Sequence, residues 1–472
     1  MTITTITDAA AALRAGETTS VELVEQAIAV ADATDAEVGS FLARFVDSSL
    51  AAAAVADEAL ARGDEVGPLH GIPLGVKDII TTVEAPSTAQ SLILDPAWSD
   101  GDAVVVSRLR GAGGIIMGKT TTMEFAIGIP DASKPFPIPR NPWNTDRWAG
   151  GSSSGSGSAV ATGAVLGALG TDTGGSIRIP AAFCGITGLM QTFGRVPKSG
   201  CVPLGYSLDH IGPMARSARD CALMLGILAG PDPSDASSVD VPVPDYLASL
   251  TGDLTGLRIG IDRLSRIGGA GEDPSLPAVF DSAIAVLAAH GAEIVEVELP
   301  YYDEMTAADM VIMASEALAY HLPDLQTRWS DYFAGTRAMV GSGAFYSAAD
   351  YVQAQRVRRV GQKALATVFD DVDLLVTPTS GAGAISFADL DTLIEGSGRG
   401  LFGPIYTPYW DTVGNPVLAA PMGFTTGGLP LSLQIAGRPF DEATVLRAGD
   451  AYQQATSWHL QSPELATQAV PA

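Results

Sequence analysis

Apolar positions follow two rhythms along this chain. Over residues 1–62 they recur at helical spacing. Leu23, Val24, Ala27 and Ile28 stand behind Thr19-Ser20-Val21-Glu22, a capping-box pattern, and the Ala-rich run Ser49 to Arg62 continues the helical texture. From Gly67 onward short β-branched runs alternate with Gly-rich turns and helix-like stretches. Leu257–Ile261, Glu293–Leu299, Asp373–Thr377, Pro416–Pro421 and Leu431–Ala436 read as strands. Pro274–His290 and Asp441–Ala455 read as helices, and the small-apolar run Ala159–Leu169 as a tightly packed one. Alternating strands and helices predict an α/β sheet. No Pro/Ser-rich linker or charge block divides the chain, so residues 1–472 are expected to form one large domain. The aromatic-rich stretch Tyr301–Tyr351 has helical spacing and suits either core packing or a cover over a site.

Composition narrows the picture. The 472 residues include 52 glycines and 30 prolines with no repeat, and 47% are apolar, enough for a large core. Against 53 acidic residues stand 27 basic ones, giving a net charge of −26. That balance leaves no electrostatic footprint for nucleic acid or an anionic membrane, so neither is expected as a partner. Met1–Gly16 has no basic residue before Arg14 and lacks an apolar run, and no stretch of 18 apolar residues follows, so neither a signal peptide nor a membrane span is expected. Cys184, Cys201 and Cys221 form no CxxC pair and fit thiols in a reducing cytoplasm.

Two motifs are decoys. Gly113 to Thr120 matches the phosphate-loop pattern GxxxxGK[ST], but its interior, Gly114 to Met117, is apolar and β-like. Thr120-Thr121-Thr122 then run to Gly128 and Pro130, leaving no helix to hold a phosphate. Gly151 to Gly155 matches the nucleophile elbow GxSxG, which would make Ser153 the nucleophile of an unrelated serine hydrolase. That chemistry needs a histidine base, and His210, His290, His321 and His459 all read as structural, His210 being the least ordinary of them. Scattered His and Cys give no ligand spacing, so no metal and no cofactor are expected.

Three segments resist a packing explanation. Gly71 to Ile80 holds Lys77, one of only five lysines, inside an apolar run. Trp148 to Ser158 has the composition of a linker, yet the packed run that follows implies that its hydroxyls are buried and need partners. Gly170 to Pro180 sets two glycines before Ser176, which frees successive N–H groups to converge on a developing oxyanion.

Together, Lys77, Ser152 and Ser176 and their spacing resemble the amidase signature family. The resemblance runs from Gly67 through Ala218 and resumes at Asp373–Pro378, Gly414–Pro416 and Gly428–Phe440. It implies a central mixed, twisted β-sheet covered by helices. The signature core would span 63–220, the sheet continuation and variable cover 221–400, and the last strands and helix 401–472. It also implies roles. Ser176 would be the nucleophile, Ser152 a bridging serine after a cis Gly151–Ser152 bond, and Lys77 the ultimate base. The N–H groups of Thr173, Gly174, Gly175 and Ser176 would form the oxyanion hole, with Ser153, Asp172 and Arg178 in support. A neutral lysine is scarce at pH 7 unless burial lowers its pKa by about 3 units, and the apolar run around Lys77 suits that demand. Asp78 should face away by strand alternation.

Departures set the expected subfamily. Ile179 stands where the tRNA-dependent amidotransferases of the family usually carry Gln, and Phe193 to Gly200 differs from their Tyr-Gly-Arg-Val-Ser-Arg-Tyr-Gly. The expectation is therefore a stand-alone amidase for a small apolar or aryl amide, anilide, carbamate or ester. The alternative is a glutamyl-tRNA amidotransferase A-type subunit. Glu124, Phe125 and Ile127 match a family segment near the acyl pocket, and Tyr301–Tyr351 and Phe402–Trp410 are candidates for the rest. A homodimer is allowed.

Overall fold

A computed structural model describes residues 3–98, 101–268, 272–390 and 404–469. Thirteen strands lie among them: β1 Phe41–Arg44, β2 Pro73–Lys77, β3 Ile115–Thr120, β4 Arg140–Asn141, β5 Asn144–Trp148, β6 Gly167–Asp172, β7 Thr187–Met190, β8 His210–Ala215, β9 Arg258–Ile261, β10 Glu293–Glu296, β11 Leu374–Pro378, β12 Val417–Phe424 and β13 Pro430–Gly437. Eleven of them join one sheet in the order β1-β3-β2-β6-β8-β7-β12-β13-β11-β9-β10, and β4 and β5 form a separate ribbon. The sheet is mixed: β3, β2 and β6 run parallel, β8 turns antiparallel to β6, and β9 is parallel to both β10 and β11. The expected sheet covered by helices is what the chain forms.

Local signals account for the elements. Thr19 caps the helix Ser20–Val38 as expected, its hydroxyl accepting from Glu22 N at 3.1 Å while Glu22 accepts from Thr19 N at 3.0 Å. Leu74, Val76 and Leu169 pack at the centre of the sheet, and Leu225 and Leu228 of the helix Ala218–Leu228 belong to the same core. A second core joins Ala159 and Val160 of the helix Ser154–Thr162 to Val24, Ala27 and Val30. No described helix is long and apolar enough to cross a membrane.

One predicted helix is misplaced. Ala159–Leu169 does not run as a single helix. The helix starts earlier, at Ser154 inside the Gly/Ser run, stops at Thr162, and Gly167 opens β6. The early start follows from backbone contact: a Cβ at Gly155 would lie 2.2 Å from Ser40 O and 2.4 Å from Thr121 N, so only glycine lets the helix seat this deeply. Its serines are buried and bonded, Ser156 to Thr120 Oγ1 at 2.8 Å and Ser158 to Ser40 Oγ at 3.0 Å.

Candidate active site

Lys77 ends β2 and Thr171 lies near the end of its parallel neighbour β6, beside the point where strand direction reverses to β8. Crevices outside the carboxyl ends of strands at such reversals are favoured ligand sites. The Lys77 side chain is wholly buried, and its Nζ lies 2.7 Å from Ser152 Oγ, 3.0 Å from Ser153 Oγ and 2.7 Å from Thr171 Oγ1. Burial pulls its pKa down to about 7, against the opposing pull of Asp172 and Asp209. Asp78 does face away, toward Lys119 and Thr88.

Proton accounting orients these bonds. The Ser153 hydroxyl gives its one proton to Thr171 O at 3.2 Å, so it accepts from Lys77 and from Thr171 N. A neutral amine has two N–H donors and one lone pair. Once Ser153 has taken one donor, Thr171 can take the other and Ser152 can donate into the lone pair. Peptide bond Gly151–Ser152 is cis, as the resemblance implied.

Ser176 stands across the same narrow cavity as Ser152, and its carbonyl accepts from Ser153 N at 3.1 Å. Its hydroxyl is half-buried and makes no hydrogen bond to another described residue, so the Ser152-to-Ser176 link of the expected relay is not closed here. Such bonds often tighten only when substrate is bound. In the glycine loop, Gly175 N–H is already taken by Asp172 Oδ1 at 2.6 Å, which removes it from the expected oxyanion hole and leaves the N–H groups of Thr173, Gly174 and Ser176. Gly175 holds φ +121°, and a Cβ there would meet Thr407 Oγ1 at 2.0 Å.

A buried ion network fixes this loop. Arg178 Nε reaches Asp172 Oδ2 at 3.0 Å, Nη2 reaches Asp172 Oδ1 at 3.1 Å and Asp411 Oδ2 at 2.5 Å, and Nη1 reaches Thr407 O at 3.0 Å and Gln434 Oε1 at 2.8 Å. All five guanidinium donors are used. Burial alone would raise the Asp172 pKa, but the Arg178 charge wins and holds it at about 2. Thr171, Thr407 and Asp411 belong to this machinery and were not singled out from sequence. Thr171 lies within the segment Gly170–Pro180 and Thr407 within the candidate stretch Phe402–Trp410, whereas Asp411 lies outside every segment the sequence marks.

The Amidase family model matches residues 22–446. This chain belongs to the amidase signature family. Among its amidase relatives, the A-type subunit of glutamyl-tRNA(Gln) amidotransferase from Chloroflexus aggregans is 42% identical over 485 residues, covering 98% of each chain. A solved structure described as a vestigial protein complex bearing on the origins of an s-triazine catabolic enzyme superposes with TM-score 0.86 at 33% identity, covering 96% of this chain and 98% of that one. The native peptide amidase of Stenotrophomonas maltophilia superposes with TM-score 0.84 at 30% identity, covering 98% of both.

The relatives named for a tRNA overturn the exclusion of nucleic acid. Net charge bears on the surface of one chain. A protein can work on the acyl end of a tRNA without itself carrying a basic face, so −26 does not exclude such a partner.

The amidase cavity corrects two substrate-binding expectations. Met123, Ile127, Trp148, Ile179, Met313 and Met339 line about 30 Å³ beside Ser152 and Ser176. Of the three residues expected near the acyl pocket, Ile127 lines this cavity. Glu124 does not: its carboxylate accepts from Ser91 Oγ at 2.7 Å and from Phe333 N at 2.6 Å, pinning two loops together. Phe125 instead packs edge-on against His321 with ring centres 4.4 Å apart. From Tyr301–Tyr351 the cavity takes two methionines and no aromatic ring. Tyr406, Tyr409 and Trp410 are core residues, and Phe402 lies outside the described residues. Helical periodicity marks inward positions but does not separate those facing a cavity from those facing core, which is why Met313 and Met339 gave no signal.

The phosphate-loop match is a strand. Its Lys119 lies in β3 and bonds Ser87 Oγ at 2.7 Å and the Ile80 carbonyl. Among the described residues no group of His, Cys, Asp and Glu could hold a metal.

Proposed function

We propose that the chain hydrolyses the amide bond of a small uncharged carboxamide through a Ser176 acyl-enzyme. Neutral Lys77 takes a proton from Ser152, Ser152 takes one from Ser176, and Ser176 Oγ attacks the carbonyl carbon. The N–H groups of Thr173, Gly174 and Ser176 hold the oxyanion, the relay returns the proton to the departing nitrogen, and water releases the acid. The observation that carries the substrate class is the cavity wall. Beside the two serines it presents aliphatic, thioether and indole surface, with no charged side chain among the described residues. A charged acyl group entering it would lose hydration without gaining a partner. Three free cysteines support a cytoplasmic setting.

A second reading, the amidotransferase A-type subunit, is favoured by the names of relatives that match nearly the full chain. It shares the acyl-enzyme chemistry and differs in the fate of the released nitrogen. The purified chain is assayed with aryl and aliphatic amides, carbamates and esters, and for transfer of amide nitrogen onto glutamyl-tRNA(Gln). Turnover of small amides by the chain alone, abolished in Ser176→Ala, supports the first reading. Activity confined to transfer onto the tRNA replaces it with the second, and full activity of Ser176→Ala removes the mechanism.

A further inference from the structure

About 30 Å³ beside Ser176 holds little more than the reacting carbonyl and a small substituent, so most of a substrate must lie elsewhere. A larger cavity of about 340 Å³ adjoins it: Ala126 and Leu204 line both. Thr171, which bonds Lys77, and Thr173 of the glycine loop form its inner wall, and the exposed Tyr206 and Trp98 stand at its mouth.

The polar groups on that wall are nearly all spent. Asp209 accepts from Thr173 Oγ1 at 2.7 Å and from Leu204 N and Gly205 N at 3.0 Å. Lys198 donates to Tyr206 O at 2.7 Å and rests over the Phe193 and Tyr206 rings. Asp235 accepts from Lys198 N at 2.7 Å and Ser237 Oγ at 2.7 Å. His210 is different. It is 1% exposed, its Nδ1 lies 3.3 Å from the Asp172 carbonyl oxygen, and its Nε2 has no partner among the described residues. A carbonyl only accepts, so Nδ1 carries the proton and Nε2 is a bare acceptor. Burial depresses the ring pKa to about 3, so the ring stays neutral at physiological pH. A buried acceptor left unmade is costly; Nε2 is closed off in this structure, and a small shift of the cavity wall that opens it would let an arriving donor recover that cost.

We propose that this cavity is a substrate subsite in which His210 Nε2 accepts a hydrogen bond from a hydroxyl or N–H group on the part of the substrate remote from the scissile carbonyl. It rests on the reading that Ser176 cleaves a carboxamide, and it narrows the substrate to neutral aryl amides bearing such a donor. Apolar wall from Ile79, Val202 and Ile211 suits the ring, and the already paired Lys198, Asp209 and Asp235 offer nothing to a net charge.

Two matched pairs test it. N-acetyl-4-aminophenol against N-acetyl-4-methoxyaniline places the donor on the leaving group, and 4-hydroxybenzamide against 4-methoxybenzamide places it on the acyl group. Binding is measured to the Ser176→Ala protein, so the outcome does not depend on turnover, and kcat/KM is measured on the active chain. We expect the hydroxyl member of one pair to be preferred by about tenfold, and that pair identifies the side of the bond the cavity serves. His210→Asn keeps a donor for the Asp172 carbonyl and deletes the acceptor at the Nε2 position; it should erase the preference. His210→Gln, which can place an oxygen near that position, should retain part of it. No hydroxyl preference in either pair, or a preference that survives His210→Asn, overturns the subsite. If the hydroxyl ligands bind Ser176→Ala in a His210-dependent way while the active chain turns over no amide, the subsite stands and the hydrolytic reading falls.

Discussion

In the proposed mechanism a buried lysine surrounded by hydroxyls takes the part that histidine takes in other serine hydrolases. Lys77 has three hydroxyl neighbours and, among the described residues, no carboxylate in contact, so no ion pair holds its proton, and burial brings its pKa to about 7. In the unfolded chain the same group titrates near 10.4. Between about pH 7 and pH 10 the unfolded state therefore binds a proton the folded state lacks, and folding stability rises with pH across that window. Lys77→Met should be more stable than wild type at pH 6, by roughly 4 kcal/mol at most, less what the three stranded hydroxyls lose. The gap should close toward pH 10. Urea denaturation at pH 6, 8 and 9.5 reads this directly, and a gap independent of pH would show that Lys77 is charged when folded. The same titration gives kcat/KM a limb near pH 7, rising with pH, that Lys77→Met removes together with activity. The segments holding Lys77, Ser152 and Ser176 stood out by composition, and the structure joins Lys77 to Ser152 and sets Ser152 and Ser176 on one cavity, but their roles came only from the family resemblance. Gly175 was legible as a loop glycine, but its N–H was assigned to the hole because sequence does not show that Asp172, three residues earlier, turns back to accept it.

Elements hold the reactive groups in register. Arg178 opens the helix Arg178–Cys184 and ties the glycine loop to the segments around Thr407, Asp411 and Gln434, so one side chain spans the two ends of the site. Lysine cannot reproduce a planar five-donor fork. Arg178→Lys should cost about 3–5 kcal/mol in stability, as breaking a buried ion network does. It should lower kcat more than KM if residual fold persists, because the loop carrying the proposed oxyanion donors loses its anchor. Thermal unfolding and steady-state kinetics separate the two effects, and a variant with wild-type kcat would show the anchor to be dispensable. The Asp172 pKa near 2 lies below its unfolded value near 3.9. Its stabilising contribution is therefore complete above about pH 4 and fades as pH falls toward 2. On the opposite wall, Met313 of the helix Tyr302–Thr327 and Met339 of the helix Ala334–Ser342 close the narrow cavity. Methionine is an unbranched, adaptable filler. Met313→Ala with Met339→Ala should shift selectivity toward bulkier acyl groups, read as the kcat/KM ratio of benzamide to acetamide. An unchanged ratio would place the acyl group elsewhere.

At the scale of the molecule, alternation of β-branched runs and helices was enough to find an α/β sheet, and the late strands Leu374–Pro378, Val417–Phe424 and Pro430–Gly437 lie within a few residues of their expected limits. Strand order was not legible, because pairing β12 with β7 across more than two hundred residues leaves no local trace. The helix after Ser153 was misplaced for a related reason: glycine and serine are poor helix formers, and only burial against Ser40, Thr120 and Thr121 overrides that preference.

The cysteines give this architecture a built-in reporter. Cys184 belongs to the core that packs the helix Ser154–Thr162, and Cys221 to the core holding the centre of the sheet; neither is exposed. Burial pushes both thiols well up. Cys201 is partly exposed on the wall of the larger cavity, with its thiol pushed up to about 12 by burial. Since the thiolate is the reactive form, a thiol reagent at pH 8 should modify the native protein far more slowly than free cysteine. Cys201 should react first, and Cys184 and Cys221 only together, at the rate of global unfolding. Peptide mapping after timed labelling gives the order, and urea should release all three at once. Early labelling of Cys184 alone would mean that the core it shares with the helix Ser154–Thr162 opens before the rest of the molecule, loosening the segment that sets Ser152 and Ser153 against Lys77.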